Sequence, residues 1–192
     1  MLRSTRLAVL VGLGLLALGS AARAEIDPLT RQPLVTYVDP AKAQATAIPR
    51  EIVDYPTRQR PGTIVVNTTE RRLYFVLPDG KAMRYGVGVG RPGFDWAGAH
   101  AITRKAEWPS WTPPSQMLKR RPDLPRHMAG GPDNPLGARA LYLGSTLYRI
   151  HGSNEPETIG QAVSSGCIRM LNEDVIDLYD RAKVGTRVVV GR

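Results

Sequence analysis

The chain has 192 residues, a formal net charge of +9, 19 glycines, 16 prolines and a single cysteine. That length suits one domain with a real core, and one cysteine excludes an intramolecular disulfide. No Arg/Lys run is interleaved with aromatics, which argues against nucleic acid as a partner.

Arg3 and Arg6 precede an apolar run from Leu7 to Leu18, followed by small residues and Ala22-Arg23-Ala24. A positive end, a short apolar stretch and a small-x-small site are the order of a secretory signal peptide. The run is shorter than the ~18 residues a helix needs to span a bilayer. Cleavage after Ala24 is therefore expected over a membrane anchor, with no stable membrane span afterwards. It would remove three arginines and leave a charge of +6. A basic exported protein is held near polyanions such as wall polymer or lipid head groups, and charge alone does not choose among them.

Residues 25–61 mix Pro, Ala, Thr and charge with little periodicity and read as an extended N-terminal arm. From Gly62 the pattern turns β-rich. Thr63–Val66, Arg72–Leu77 and Ala82–Val89 are strands separated by the polar turn Asn67–Arg71 and by Pro78-Asp79-Gly80-Lys81, where Pro sets φ and Gly takes positive φ. Short strands joined by such turns indicate an antiparallel meander. Trp108–Pro114 is stiff and aromatic, and Arg120–Pro135 is too rich in Pro and Gly for a central strand. A long irregular segment in a compact domain is usually a lid or binding loop. Strands resume at Ala140–Gly144 and Leu147–Ile150, ending at His151. A short helix is expected within Glu155–Val163. A longer one starts with Asn172 as N-cap and acidic Glu173 and Asp174 in its first turn. Its apolar stripe is Val175, Ile176, Leu178, Tyr179 and Ala182. Gly185 is expected to stop it before a last strand, Thr186–Val190.

Cys167 lies in the small-residue turn Ser164-Ser165-Gly166-Cys167. A lone exported thiol is either a buried apolar filler or a reactive group. A free thiol is only about 3% thiolate at pH 7, and a nearby imidazolium can make the thiolate the main form. Of His100, His127 and His151, the last is the best partner: it ends a strand, and Cys167 follows 16 residues on. The Gly152 carbonyl can be approached closely enough to accept the imidazole N–H and orient the ring. Gly166 permits a sharp turn that exposes the sulfur and aims backbone N–H groups at an oxyanion. His100 and His127 read as structural or solvated. The spacing of the three His and Cys167 fits no usual zinc pattern, so no metal is expected. Trp108 and Trp111 either line a cleft or pack a lid.

Ile150-His151-Gly152 followed by Ser164-Ser165-Gly166-Cys167-Ile168-Arg169 resembles the signature of the L,D-transpeptidases, the YkuD domain family. The likeness extends over roughly Gly62 to Gly191, through the opening hairpin, Asn134–Gly137 and the closing helix and strand. Many members carry His directly before Gly-Cys; Ser165 stands there here, which puts the base role on His151. The resemblance implies a mainly β fold, a β-sandwich of mixed sheets with a few short helices and a lid loop. It implies a periplasmic cysteine transpeptidase for peptidoglycan stem peptides, working without a cofactor and open to acylation by carbapenems. Cys167 would attack the diaminopimelate carbonyl of a donor tetrapeptide, D-Ala would leave, and an amine would resolve the thioester. Another stem as acceptor makes a 3→3 cross-link; a protein amine, as of an outer-membrane protein, makes an anchored protein; water makes the activity an L,D-carboxypeptidase. A catalytically silent peptidoglycan-binding module is the alternative of a different class. Gly166 would supply an oxyanion N–H with Cys167. Arg169, whose planar fork suits carboxylates, would bind substrate with Ser164 and Ser165.

Overall fold

The computed structural model describes residues 48–192; the expected signal peptide and the first part of the arm lie outside the described residues. The fold is mainly β. Eleven strands are ordered as β1 (Glu51–Asp54), β2 (Ile64–Asn67), β3 (Arg72–Val76), β4 (Lys81–Gly86), β5 (Val89–Gly90), β6 (Gly98–Glu107), β7 (Arg139–Leu143), β8 (Arg149–His151), β9 (Ala162–Ser164), β10 (Ile168–Arg169) and β11 (Arg187–Gly191). Among the described residues the helices are α1 (Ser115–Arg120) and α2 (Asn172–Arg181), with one 3-10 turn at Pro156–Thr158.

The meander forms as its turns dictate, β2 pairing with β3 and β3 with β4, all antiparallel. Part of the arm joins it: Glu51–Asp54 adds to β4 as an edge strand. β11 returns from the end of the chain to lie parallel to β2 and antiparallel to β6. β6 is long enough to serve two partners. Its first half pairs with β11 and its second with β7, across an irregularity between Ile102 and Arg104. A bulge of this kind bends a strand and lets one sheet fold toward another. The full order is β1-β4-β3-β2-β11-β6-β7-β8-β10, and β5 and β9 form a separate parallel pair. Both halves and α2 share one core, which includes Ile64, Leu73, Tyr85, Leu141, Ile150, Ile168, Met170 and Leu178.

Three local expectations change. Asn172 is not the cap of α2; Leu171 is, and the Asn172 side chain bridges other segments. α2 ends at Arg181 rather than at Gly185, because the backbone turns extended at Ala182, and Lys105 Nζ donates to the carbonyls of Tyr179 (2.5 Å) and Ala182 (2.7 Å) left at its end. Gly185, at φ +92°, instead makes the turn into β11. The short helix within Glu155–Val163 shrinks to the 3-10 turn, and the last two residues of that segment begin β9. Among the described residues, no helix is long and apolar enough to cross a membrane.

Candidate active site

Strand alternation builds the first wall of the site. On β8, Arg149 and His151 are two residues apart and share one face, while Ile150 between them is fully buried. β10 runs parallel to β8 with Ile168 opposite Ile150 and Arg169 opposite His151, which sets Cys167 at the level of Arg149. His151, Arg149, Cys167 and Arg169 all line one cavity of about 420 Å³.

His151 is buried, and its Nδ1 lies 2.6 Å from the Gly152 carbonyl oxygen. A carbonyl only accepts, so Nδ1 carries the proton and Nε2 keeps its lone pair. Burial is the main cause that pulls the imidazole down to about 3; the Gly152 contact opposes it, and Arg169 and Arg149 add to the depression. The ring is neutral at physiological pH. Gly152 is obligatory for packing as well. A Cβ there would meet Asn172 Oδ1 at 2.2 Å. Asn172 accepts the Ala138 N–H at 2.9 Å and donates to the Ser153 carbonyl at 3.2 Å, tying the start of α2 to the strand end that carries His151.

The Cys turn is held from within and from behind. Ser164 is buried; its hydroxyl donates to the Cys167 carbonyl at 2.6 Å and accepts the Gly166 N–H at 3.1 Å. The Ser164 hydroxyl, which was expected to meet substrate, is thus used inside the turn, and the Gly166 N–H, expected to face an oxyanion, is donated to it. Gly166 is required for its backbone, at φ +108°, and because a Cβ would meet the Tyr148 ring at 2.6 Å. Trp96 stacks on Tyr148 at 4.4 Å and donates its Nε1–H to the Gly166 carbonyl at 2.7 Å. Ser165 lies in the cavity wall, its hydroxyl 3.3 Å from Arg91 Nη1.

Cys167 is partly exposed, not sealed in the core. Its sulfur lies 3.7 Å from the Leu147 carbonyl oxygen. Burial pushes the thiol up, and Arg149 followed by Arg169 opposes this. The resting site is thus a neutral thiol and a neutral imidazole, where the sequence suggested a thiolate held by an imidazolium. The reason is tertiary: His151 sits too deep to hold a charge.

Arg169 Nη1 is paired with Glu155 Oε2 at 2.6 Å while facing the cavity. Trp111, Pro114, Met117 and Arg120 close the cavity's other side, so the stiff aromatic segment and α1 form its cover. Trp111 pairs with Met128 across that segment, whereas Trp108 is exposed. His100 packs edge-on against Trp96, and exposed His127 contacts Thr112. Among the described residues no cluster of three or more His, Cys, Asp and Glu is placed to hold a metal. Sequence reasoning missed Arg149, Trp96 and Tyr148. Period-two alternation from His151 would have found Arg149. Nothing local marks Trp96, which acts across 70 residues.

A mainly β domain that brings one thiol and one imidazole to a single covered cleft defines the class. The model of the YkuD L,D-transpeptidase catalytic domain matches residues 61–190, and the chain belongs to that family. It is similar to the "Probable L,D-transpeptidase ErfK/SrfK" of Escherichia coli K12, 39% identical over 160 residues, covering 79% of this chain and 50% of that protein. The chain spans about half the length of the curated relatives it matches. Among solved structures it resembles L,D-transpeptidase 3 from Mycobacterium tuberculosis in complex with a faropenem-derived adduct. The TM-score is 0.55 at 18% identity, over 68% of this chain and 60% of that one, which is a likeness of fold. A Brucella melitensis structure described as "Probable carnitine operon oxidoreductase caia" is 43% identical, with TM-score 0.51, over 78% of this chain and 99% of that one. That name belongs to that protein; the family match of this chain is to the transpeptidase domain.

Proposed function

We propose that the chain is a periplasmic L,D-transpeptidase that acts on peptidoglycan stem peptides through a Cys167 thioester. The observation that carries this reading is that Cys167, one residue before β10, and His151, on the parallel neighbour β8, line one cleft. Cys167 attacks the carbonyl at the L-centre of diaminopimelate in a donor tetrapeptide. The S–H proton passes to Nε2 of His151 as the S–C bond forms. Because the imidazole is held near 3, this transfer accompanies attack rather than preceding it. The N–H groups of Ser165 and Cys167 are the candidate donors to the oxyanion, since that of Gly166 is spent. Collapse breaks the C–N bond, His151 returns the proton to the leaving amine, and D-Ala departs. An amine acceptor then attacks the thioester by the same steps in reverse. Another stem peptide gives a 3→3 cross-link, and a protein amine, as on an outer-membrane protein, gives an attached protein. The basic charge favours residence on an anionic wall polymer.

The test is incubation of the mature protein with tetrapeptide-rich sacculi, followed by mass spectrometry of the muropeptides. Loss of D-Ala with new 3→3 dimers is expected, and neither Cys167→Ala nor Cys167→Ser should support it. Tripeptides without dimers or protein adducts would identify a carboxypeptidase, and undiminished transfer by Cys167→Ala would end the thioester reading. The same geometry predicts acylation by carbapenems: intact mass should rise by one drug adduct in the native chain and stay unchanged in Cys167→Ala.

A further inference from the structure

The Cys167 thiol and the Arg149 guanidinium share one acceptor. The sulfur lies 3.7 Å from the Leu147 carbonyl oxygen, and Arg149 Nη1 donates to that same oxygen at 3.2 Å. Register explains the meeting, since the β8–β10 pairing places Cys167 beside Arg149. Several cations stand around the cavity, and Arg149 itself lies 5.2 Å over the Tyr142 ring. On β10, Arg169 is paired with Glu155. Before β6, Arg91 lies over the Phe94 ring and reaches Ser165 Oγ. On α1, Arg120 lies over Phe94. Arg149 has no carboxylate partner among the described residues, and its Nε is buried with no hydrogen-bond partner. The Nε atoms of Arg84 and Arg139 are also buried and unpartnered, but those two guanidinia are paired with Glu51 and Glu107.

We propose that Arg149 is the counter-charge of the Cys167 thiolate, so that the charge that steadies the sulfur is in place before His151 takes the proton. When the S–H bond breaks, the proton goes to Nε2 of His151 and the sulfur keeps the electron pair beside a permanent cation. The electrostatics of the thiol point the same way. Burial raises it, and the strongest opposing influence is the Arg149 charge; Arg169 is weaker. In the resting site His151 is neutral and adds no positive charge. The inference concerns the same thiol as the proposed function, but its test does not require acyl transfer.

Iodoacetamide, a small neutral probe, reads the sulfur alone: an S–C bond forms and iodide leaves. Its rate with the full chain is measured across pH for the native protein and for Arg149→Met, Arg149→Lys and His151→Gln, with circular dichroism to confirm folding. Arg149→Met should move the midpoint up by about one unit and slow alkylation at pH 7 about tenfold. Arg149→Lys should recover part of this, because it keeps the charge and loses the fork. His151→Gln should leave the midpoint in place. An unmoved midpoint in Arg149→Met, or an upward shift in His151→Gln alone, overturns the inference. If Arg149→Met does not fold, Arg149→Gln is read the same way. A chain that shows the Arg149 shift yet transfers no acyl group keeps this inference and loses the proposed function; transfer without the shift does the reverse.

Discussion

At the scale of single residues, the depth of His151 decides how the site stores its proton. The ring is pulled from 6.5 to about 3, chiefly by burial. Below pH 6.5 the unfolded chain binds a proton on this residue that the native chain refuses. Its contribution to stability is therefore complete above 6.5 and is lost as pH falls toward 3. The slope is at most about 1.4 kcal/mol per pH unit. Urea titrations of the native chain should show it, and His151→Gln should flatten it across that window. Equal slopes in the two proteins would mean the ring is not buried neutral. The Gly152 carbonyl was readable beforehand as the group that orients the ring, because a glycine after a strand-end His leaves that oxygen open to close approach. The neutrality of the ring was not, since burial is a property of the packed domain.

The elements around the thiol work as a clamp. Trp96, between β5 and β6, holds the Cys turn by one hydrogen bond to Gly166 and by its stack on Tyr148. Trp96→Phe keeps an aromatic face and removes the N–H. The lost bond should lower stability by about 1 kcal/mol, while looser placement of the sulfur should slow β-lactam acylation by up to about 100-fold. A lower melting temperature with unchanged acylation would reduce Trp96 to a packing residue. The meander was legible in its Gly and Pro turns. β9 was not, because Ala162-Val163-Ser164 becomes a strand only through its parallel pairing with β5. Asn172 misled for a related reason: its type favours a helix cap, yet its amide is worth more bridging Ala138 and Ser153 inside the fold.

For the molecule as a whole, the boundary drawn from sequence at Gly62 cuts through contacts the domain uses. β1 pairs along β4 and adds Lys81–Asp54 and Arg84–Glu51 ion pairs. The Ile48 side chain packs where a Cβ on Gly86 would stand. Arg50 faces Asp174 at 3.7 Å and Asp177 at 3.8 Å. Burial raises Asp174 to about 6, and Arg50 opposes that rise. Between 3.8 and 6 the native state holds a proton that the unfolded chain has released, so this contribution is lost as pH rises through about 6. A chain beginning at Gly62 should melt several degrees lower than one beginning at Ile48, with a wider gap at pH 7.5 than at pH 4. It should also aggregate more readily, since the β4 edge is bare. Identical melting curves would show that residues 48–61 add nothing to the fold.

By itself, the sequence determined the β character of the domain, the motif that joins His151 to Cys167, and the family to which both point. These rest on local chemistry: turn residues with special φ, period-two alternation and a rare pattern of small residues around one thiol. Tertiary structure alone decided which cation comes level with the sulfur, how the N–H of Gly166 is bonded, and what charge the imidazole bears. Each depends on burial and on partners brought together by strand register and packing across the fold, and neither is written in any short stretch of chain.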